Sequence, residues 1–221
     1  MTHPLAHIFV DLFLQGGPIM WPIVMVMIVA VGVVTERVLW WWQAGASRQP
    51  VEVERCFAAI ETGRAEEAAA IADAGRDPIL RVVKAGLAHR EGAFHGALQS
   101  AASAELRAGA RFLTALDTII TLAPLLGLLG TVTGIMASFT SLGDAELAIG
   151  KVTGGIGEAL IATAFGLGIA IFTLIPYNWC QSKLTRLQQD LEFAANSLEV
   201  LLTARGMRPT PPGHFPSGGQ A

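Results

Sequence analysis

The chain has 221 residues, of which 52% are hydrophobic and only 15% charged, with 24 glycines and a mean hydropathy of +0.50. The apolar residues are gathered into three blocks, Pro18 to Trp42, Phe112 to Leu142 and Ile156 to Cys180, each long enough to cross a bilayer and unlike the scattered pattern of a soluble domain. The formal net charge of −3 gives no electrostatic reason to expect a nucleic-acid partner, and two isolated cysteines, Cys56 and Cys180, show neither metal spacing nor a disulfide framework.

Residues 1–17 are expected to form an interfacial helix on the membrane surface, because Leu5, Ile8, Phe9, Leu12 and Phe13 share one helical face. No Lys or Arg precedes the first apolar block and no small-residue cleavage site follows it, so that block is expected to be a retained span rather than a leader. Gly16, Gly17 and Pro18 turn the chain into a first span over 18–42. Glu36 and Arg37 lie near its far end, where an interfacial pair is the simplest reading, and Trp40, Trp41 and Trp42 mark a lipid–water boundary.

Residues 43–111 are polar and Ala-rich and read as a helical domain, with helices around 51–74 and 79–111 broken at Arg76, Asp77 and Pro78. His89 and His95 lack the spacing of a zinc helix and read as solvated surface residues. A second span over 112–142 contains Pro124, which a membrane helix tolerates, and Asp117 near its inner end. A turn over 143–153, with Asp144, Glu146 and Lys151, leads into a third span over 154–180. Beyond it, over 181–205, Leu184, Leu187, Leu191, Ala194, Leu198 and Leu201 alternate steps of three and four, a seam expected to pack against a partner. The Pro- and Gly-rich tail, 206–221, has the composition of a disordered segment.

Arg and Lys set orientation. Residues 1–17 carry none, the segment 43–111 carries nine, and four follow Cys180. The expectation is an all-α integral membrane protein with three transmembrane helices, amino terminus out and carboxyl terminus in, and long cytoplasmic helical extensions.

The second and third spans form an antiparallel hairpin whose turn is centred on residue 147. Thr131 and Thr163 are equidistant from that centre and are expected at similar depth. Gly127, Thr131, Gly134 and Ser138 form a stripe of small residues on the second span, and the candidate helix-packing positions are Gly127, Gly130, Gly134, Ser138, Gly155 and Gly166. The third span is small-sided almost all round, more than one hairpin can use, which points to a homo-oligomer, a second membrane protein, or both. Thr131 and Thr163 can serve either packing or a pore. Glu158 is different: neither hairpin span contains a basic residue to neutralise it, and an unpaired carboxylate in a span marks an ion path. Glu158 and Thr163 are five residues apart, about 140° on an ideal helix, so they need not share a face. No catalytic constellation, cofactor motif or metal motif is present. GLLGTVTG lacks the Lys of a phosphate loop, so an enzyme is not expected.

The segments APLLGLLGTVTGIMASF and GGIGEALIATAFGLGIAI, followed by PYN, resemble the MotA/TolQ/ExbB proton-channel family, its ExbB-like branch most closely, over about residues 10–204. GGPIMWPIVM and TERV in the first span also look ExbB-like. The resemblance implies a ring-like homo-oligomer, usually a pentamer, around a pore. That pore holds single-span ExbD- or TolR-like partners, each with an essential Asp. It further implies an inner-membrane complex in bacteria that uses the proton-motive force to energise a TonB- or TolA-like protein. Motif by motif it maps pathway residues onto Thr131, Glu158 and Thr163. Three spans fit ExbB and TolQ and depart from the four of MotA. TonB-linked outer-membrane transport, Tol-type envelope maintenance and gliding motors remain open, as does whether Glu158 or a partner Asp is the primary proton carrier.

Overall fold

The computed structural model describes residues 13, 15–90, 92–140 and 148–205, with side chains in the last stretch from residue 153 onward. The expectations for the surface helix over 1–17 (save its last few residues), for residues 143–147 of the turn and for the 206–221 tail lie outside the described residues; residues 148–153, expected in the turn, are already helical. All the regular structure described is helical: α1 (Met20–Ala46), α2 (Pro50–Glu61), α3 (Ala65–Ala74), α4 (Pro78–Ala88), α5 (Phe94–Ala110), α6 (Leu113–Thr140) and α7 (Ala148–Ala204). Three helical stretches, Met20–Ala46, Phe94–Thr140 and Thr153–Ala204, are long and apolar enough to cross a membrane. Along α1, Trp21 and Trp42 are both exposed and are separated by about 31 Å of helical rise, which matches a hydrocarbon core flanked by two aromatic belts.

The chain divides into two compact units, Met1–Leu39 with Phe112–Cys180, and Trp40–Arg111 with Gln181–Ala221. The first contains most of α1, all of α6 and the first part of α7. Its packing inverts that of a soluble protein. α6 buries Leu113, Leu116 and Ile119 in its first two turns, but from there on its buried face is Ala123, Gly127, Gly130, Gly134 and Ser138, whereas Leu125, Met136, Leu160 and Ile171 each expose more than 60% of their surface. Small residues let helix backbones touch, and in lipid the large apolar side chains have no reason to turn inward. A cluster of Met20, Ile23, Ala30, Ile119, Ala123, Ala162 and Ile169 joins the three helices. α6 runs unbroken through Pro124.

In the second unit, helix starts are set by specific side chains. Pro50 opens α2 and Pro78 opens α4, positions where a missing N–H costs nothing. Asp77 caps α4: its carboxylate accepts from the Ile79 N–H at 2.9 Å and the Gln49 N–H at 2.9 Å, while the Gln49 side chain accepts from the Arg76 N–H at 2.8 Å. The turn between α2 and α3 passes through Gly63, whose φ of +78° suits glycine. The distal part of α7 buries Leu187, Leu191, Ala194, Leu198 and Leu202. The seam expected against a partner is therefore covered by this chain itself: a Cβ at Gly86 on α4 would stand 2.7 Å from Leu198 and 2.9 Å from Leu98 of α5. The last seam position is Leu202 rather than Leu201, because 3.6 residues per turn drift from a strict heptad along a straight helix. His95 is not merely solvated; its Nε2 lies 3.1 Å from the Glu199 carboxylate.

Candidate proton-path site in the membrane unit

The antiparallel pair of α6 and the first part of α7 is held by contacts that leave no room for side chains. A Cβ at Gly166 would lie 2.5 Å from the Ala123 carbonyl oxygen, one at Gly127 2.9 Å from Thr163 Cα, and one at Gly130 2.6 Å from Ala162. A Cβ at Gly134 would meet Ala159 at 3.0 Å, and one at Gly155 would overlap the Ser138 hydroxyl. Five of the six candidate packing positions are thus glycines at close approaches, and the sixth, Ser138, is buried with its hydroxyl returned to the Gly134 carbonyl at 2.8 Å.

The two threonines differ. The Thr163 hydroxyl donates across the helix pair to the Gly127 carbonyl at 2.8 Å. The Thr131 hydroxyl donates within its own helix to Leu128 O at 2.6 Å. Thr163 therefore faces a residue one helical turn from Thr131. The two are not level, because register is set by where glycines let the backbones meet rather than by the midpoint of the turn.

Glu158 is half-buried on α7. A Cβ at Gly17, in the turn that feeds α1, would overlap the carboxylate oxygen and lie 2.5 Å from Cδ and 3.1 Å from Cγ. The carboxyl is therefore level with the start of α1, towards one end of the span. Between Thr153 and Cys180 Glu158 is the sole Asp, Glu, Lys or Arg, and among the described residues none forms an ion pair or hydrogen bond with its carboxylate. Asp117 is exposed near the opposite end of α6. At that end of α1, Arg37 is 1% exposed, joined to Glu36 by Nε–Oε2 at 2.5 Å and Nη2–Oε1 at 2.6 Å, and lies 5.6 Å from the Phe112 ring centroid. Among the described residues no group of three His, Cys, Asp or Glu side chains could hold a metal ion.

Sequence reasoning placed Gly17 only in a turn and missed its approach to Glu158. The available signal was a Gly-Gly-Pro run against the start of a span, which tells of a turn but not of what it covers.

These features define a multi-pass membrane protein, helical throughout its described regular structure, with one partly buried carboxylate on a small-residue helical hairpin. The sequence profile of the MotA/TolQ/ExbB proton channel family matches residues 74–193. A putative biopolymer transport protein, ExbB-like 3, of Synechocystis is 38% identical over 171 residues, covering 73% of this chain and 80% of its own. ExbB-like 1 of the same organism is 36% identical over 203 residues, 88% of this chain and 78% of its own. The Tol-Pal system protein TolQ of Haemophilus influenzae is 43% identical over 76 residues, 34% of this chain and 33% of its own. The chain belongs to the MotA/TolQ/ExbB proton channel family.

Proposed function

We propose that this chain is the proton-channel and motor subunit of an energy-transducing complex in the bacterial inner membrane, using the proton-motive force to drive a TonB-like protein for outer-membrane transport. The observation that carries this reading is Glu158, the one Asp, Glu, Lys or Arg between Thr153 and Cys180, with no cation paired to it among the described residues. Such a group persists in a span when it must gain and lose a proton. Its place towards the end of the span suits proton entry from one face, and the excess of Lys and Arg over 43–111 and after Cys180 supports an amino terminus outside and a carboxyl terminus inside.

A homo-oligomeric ring, a pentamer by the family resemblance, is part of this reading, and the surface that the described residues leave uncovered supports it. Added Cβ atoms at Gly154, Gly157 and Gly168 of α7 would meet nothing within 4 Å among the described residues. Among the described residues the hairpin supplies no second buried carboxylate, so the next proton acceptor belongs to an ExbD- or TolR-like single-span partner bearing an Asp. The likeness to TolQ supports a second reading, in which the energised protein is TolA-like and the work is envelope maintenance. No enzymatic turnover and no cofactor enter either reading.

The test is Glu158→Gln in the complete complex in membrane vesicles. Loss of proton flux with the assembly intact is the expected result. Undiminished flux would leave a non-conducting scaffold as the better account.

A further inference from the structure

The chain leading into α1 makes two consecutive close approaches to α7, through Gly16 and Gly17. Gly16 is buried, and a Cβ there would lie 2.7 Å from the Met20 sulfur and 3.3 Å from Ile161 Cγ2. Gly17 has φ +69°, in the left-handed region, and a Cβ there would stand in the volume of the Glu158 carboxyl. The turn is tight: the Met20 N–H donates to Gly17 O at 3.1 Å and the Trp21 N–H to Pro18 O at 3.3 Å, so its backbone is fixed by the helix it opens. Ile161 and Glu158 lie three residues apart on α7, nearly one turn, so both glycines seat on the same stretch of that helix.

From this geometry we propose that Gly17 is a positioning residue for Glu158: the side-chain-free turn before α1 is the seat that holds the carboxyl in one orientation on the hairpin. The inference rests on the proton-path reading for its functional meaning but not for its geometry. A methyl group at position 17 displaces the end of a flexible side chain rather than backbone, so the fold survives and the carboxyl moves. The left-handed backbone adds its own strain, which asparagine tolerates better than alanine. Gly63, at φ +78°, has nothing nearer a new Cβ than Arg205 Nη1 at 3.8 Å and serves as a matched control.

The experiment measures the rate at which dicyclohexylcarbodiimide labels Glu158 in the whole complex in native membranes, read by peptide mass spectrometry, beside proton flux. Gly17→Ala and Gly17→Asn should each change the labelling rate by at least about twofold, the lower range for residues in contact, and reduce flux. Gly63→Ala should change neither. In a Glu158→Asp background, where the side chain is one methylene shorter, Gly17→Ala should change carboxyl labelling less than it does with Glu158. Unaltered labelling in both Gly17 variants, or an equal change in Gly63→Ala, overturns the proposal. Altered labelling in the Gly17 variants together with full flux in Glu158→Gln supports the positioning role and removes the proton-path reading instead.

Discussion

The Thr163 hydroxyl donates to the Gly127 carbonyl 2.8 Å away, across the interface of α6 and α7. A glycine on one helix admits the backbone of the other, and the threonine then reaches a carbonyl already bonded within its own helix. This makes Thr163 part of the clamp that sets hairpin register, a role compatible with lying beside a proton path but distinct from conducting one.

Thr163→Val keeps the shape and removes the donor. The expected loss is about 1 kcal/mol, the scale of interhelical hydrogen bonds in membranes. It should appear as easier unfolding in mixed micelles. Thr131→Val, whose donor serves only its own helix, should cost less in the same measurement. If Thr163→Val abolishes proton flux while stability is unchanged, the hydroxyl has a conducting role.

Gly166 and Gly168 separate packing inside the chain from packing outside it. Gly166→Ala drives a methyl group against the Ala123 carbonyl, backbone that cannot rotate away, and should destabilise the hairpin by about 1–3 kcal/mol. A Cβ at Gly168 meets nothing among the described residues, so Gly168→Leu should leave the hairpin intact. If copies pack on that face, it will lower the subunit count seen by native mass spectrometry. An unchanged count would direct the ring contacts elsewhere on α7 or to α1.

Cys56 offers a pH readout for the second unit. Burial disfavours the thiolate and pushes its pKa up to about 11, and the thiol faces the Ala68 carbonyl oxygen at 3.4 Å. The thiolate is the reactive form, so in a Cys180→Ser background maleimide labelling should be slow near neutrality and accelerate as pH climbs towards 11. The folded state holds this proton more tightly than the unfolded chain, whose thiol titrates near 9.0, so the contribution to stability is intact below about 9 and is lost as pH rises towards 11. Rapid labelling at neutral pH would mean that α2 and α3 open readily.

Several features were legible because they need only local chemistry. The helix break at Asp77–Pro78 follows from a proline and a capping carboxylate, though the Gln49 side of that cap, 28 residues away, does not. The small-residue stripe on α6 was readable from its spacing, yet the buried face includes Gly130 and leaves Thr131 half-buried, since one residue of rotation decides between neighbours on a helix. The leucine seam on α7 was readable as a seam, but periodicity is silent on whether the covering helix belongs to the same chain. Here it includes α4.

The sequence by itself determined the three apolar helical stretches, the lone carboxylate and the glycine positions, because hydropathy, charge and helical period are properties of neighbouring residues. Only the tertiary structure decided that Thr163 meets Gly127, that the α7 seam closes on the chain's own helices, and that Gly17 lies against Glu158. Those pairings join residues far apart in the chain, and they depend on which backbones can approach within a few ångströms, which no local pattern encodes.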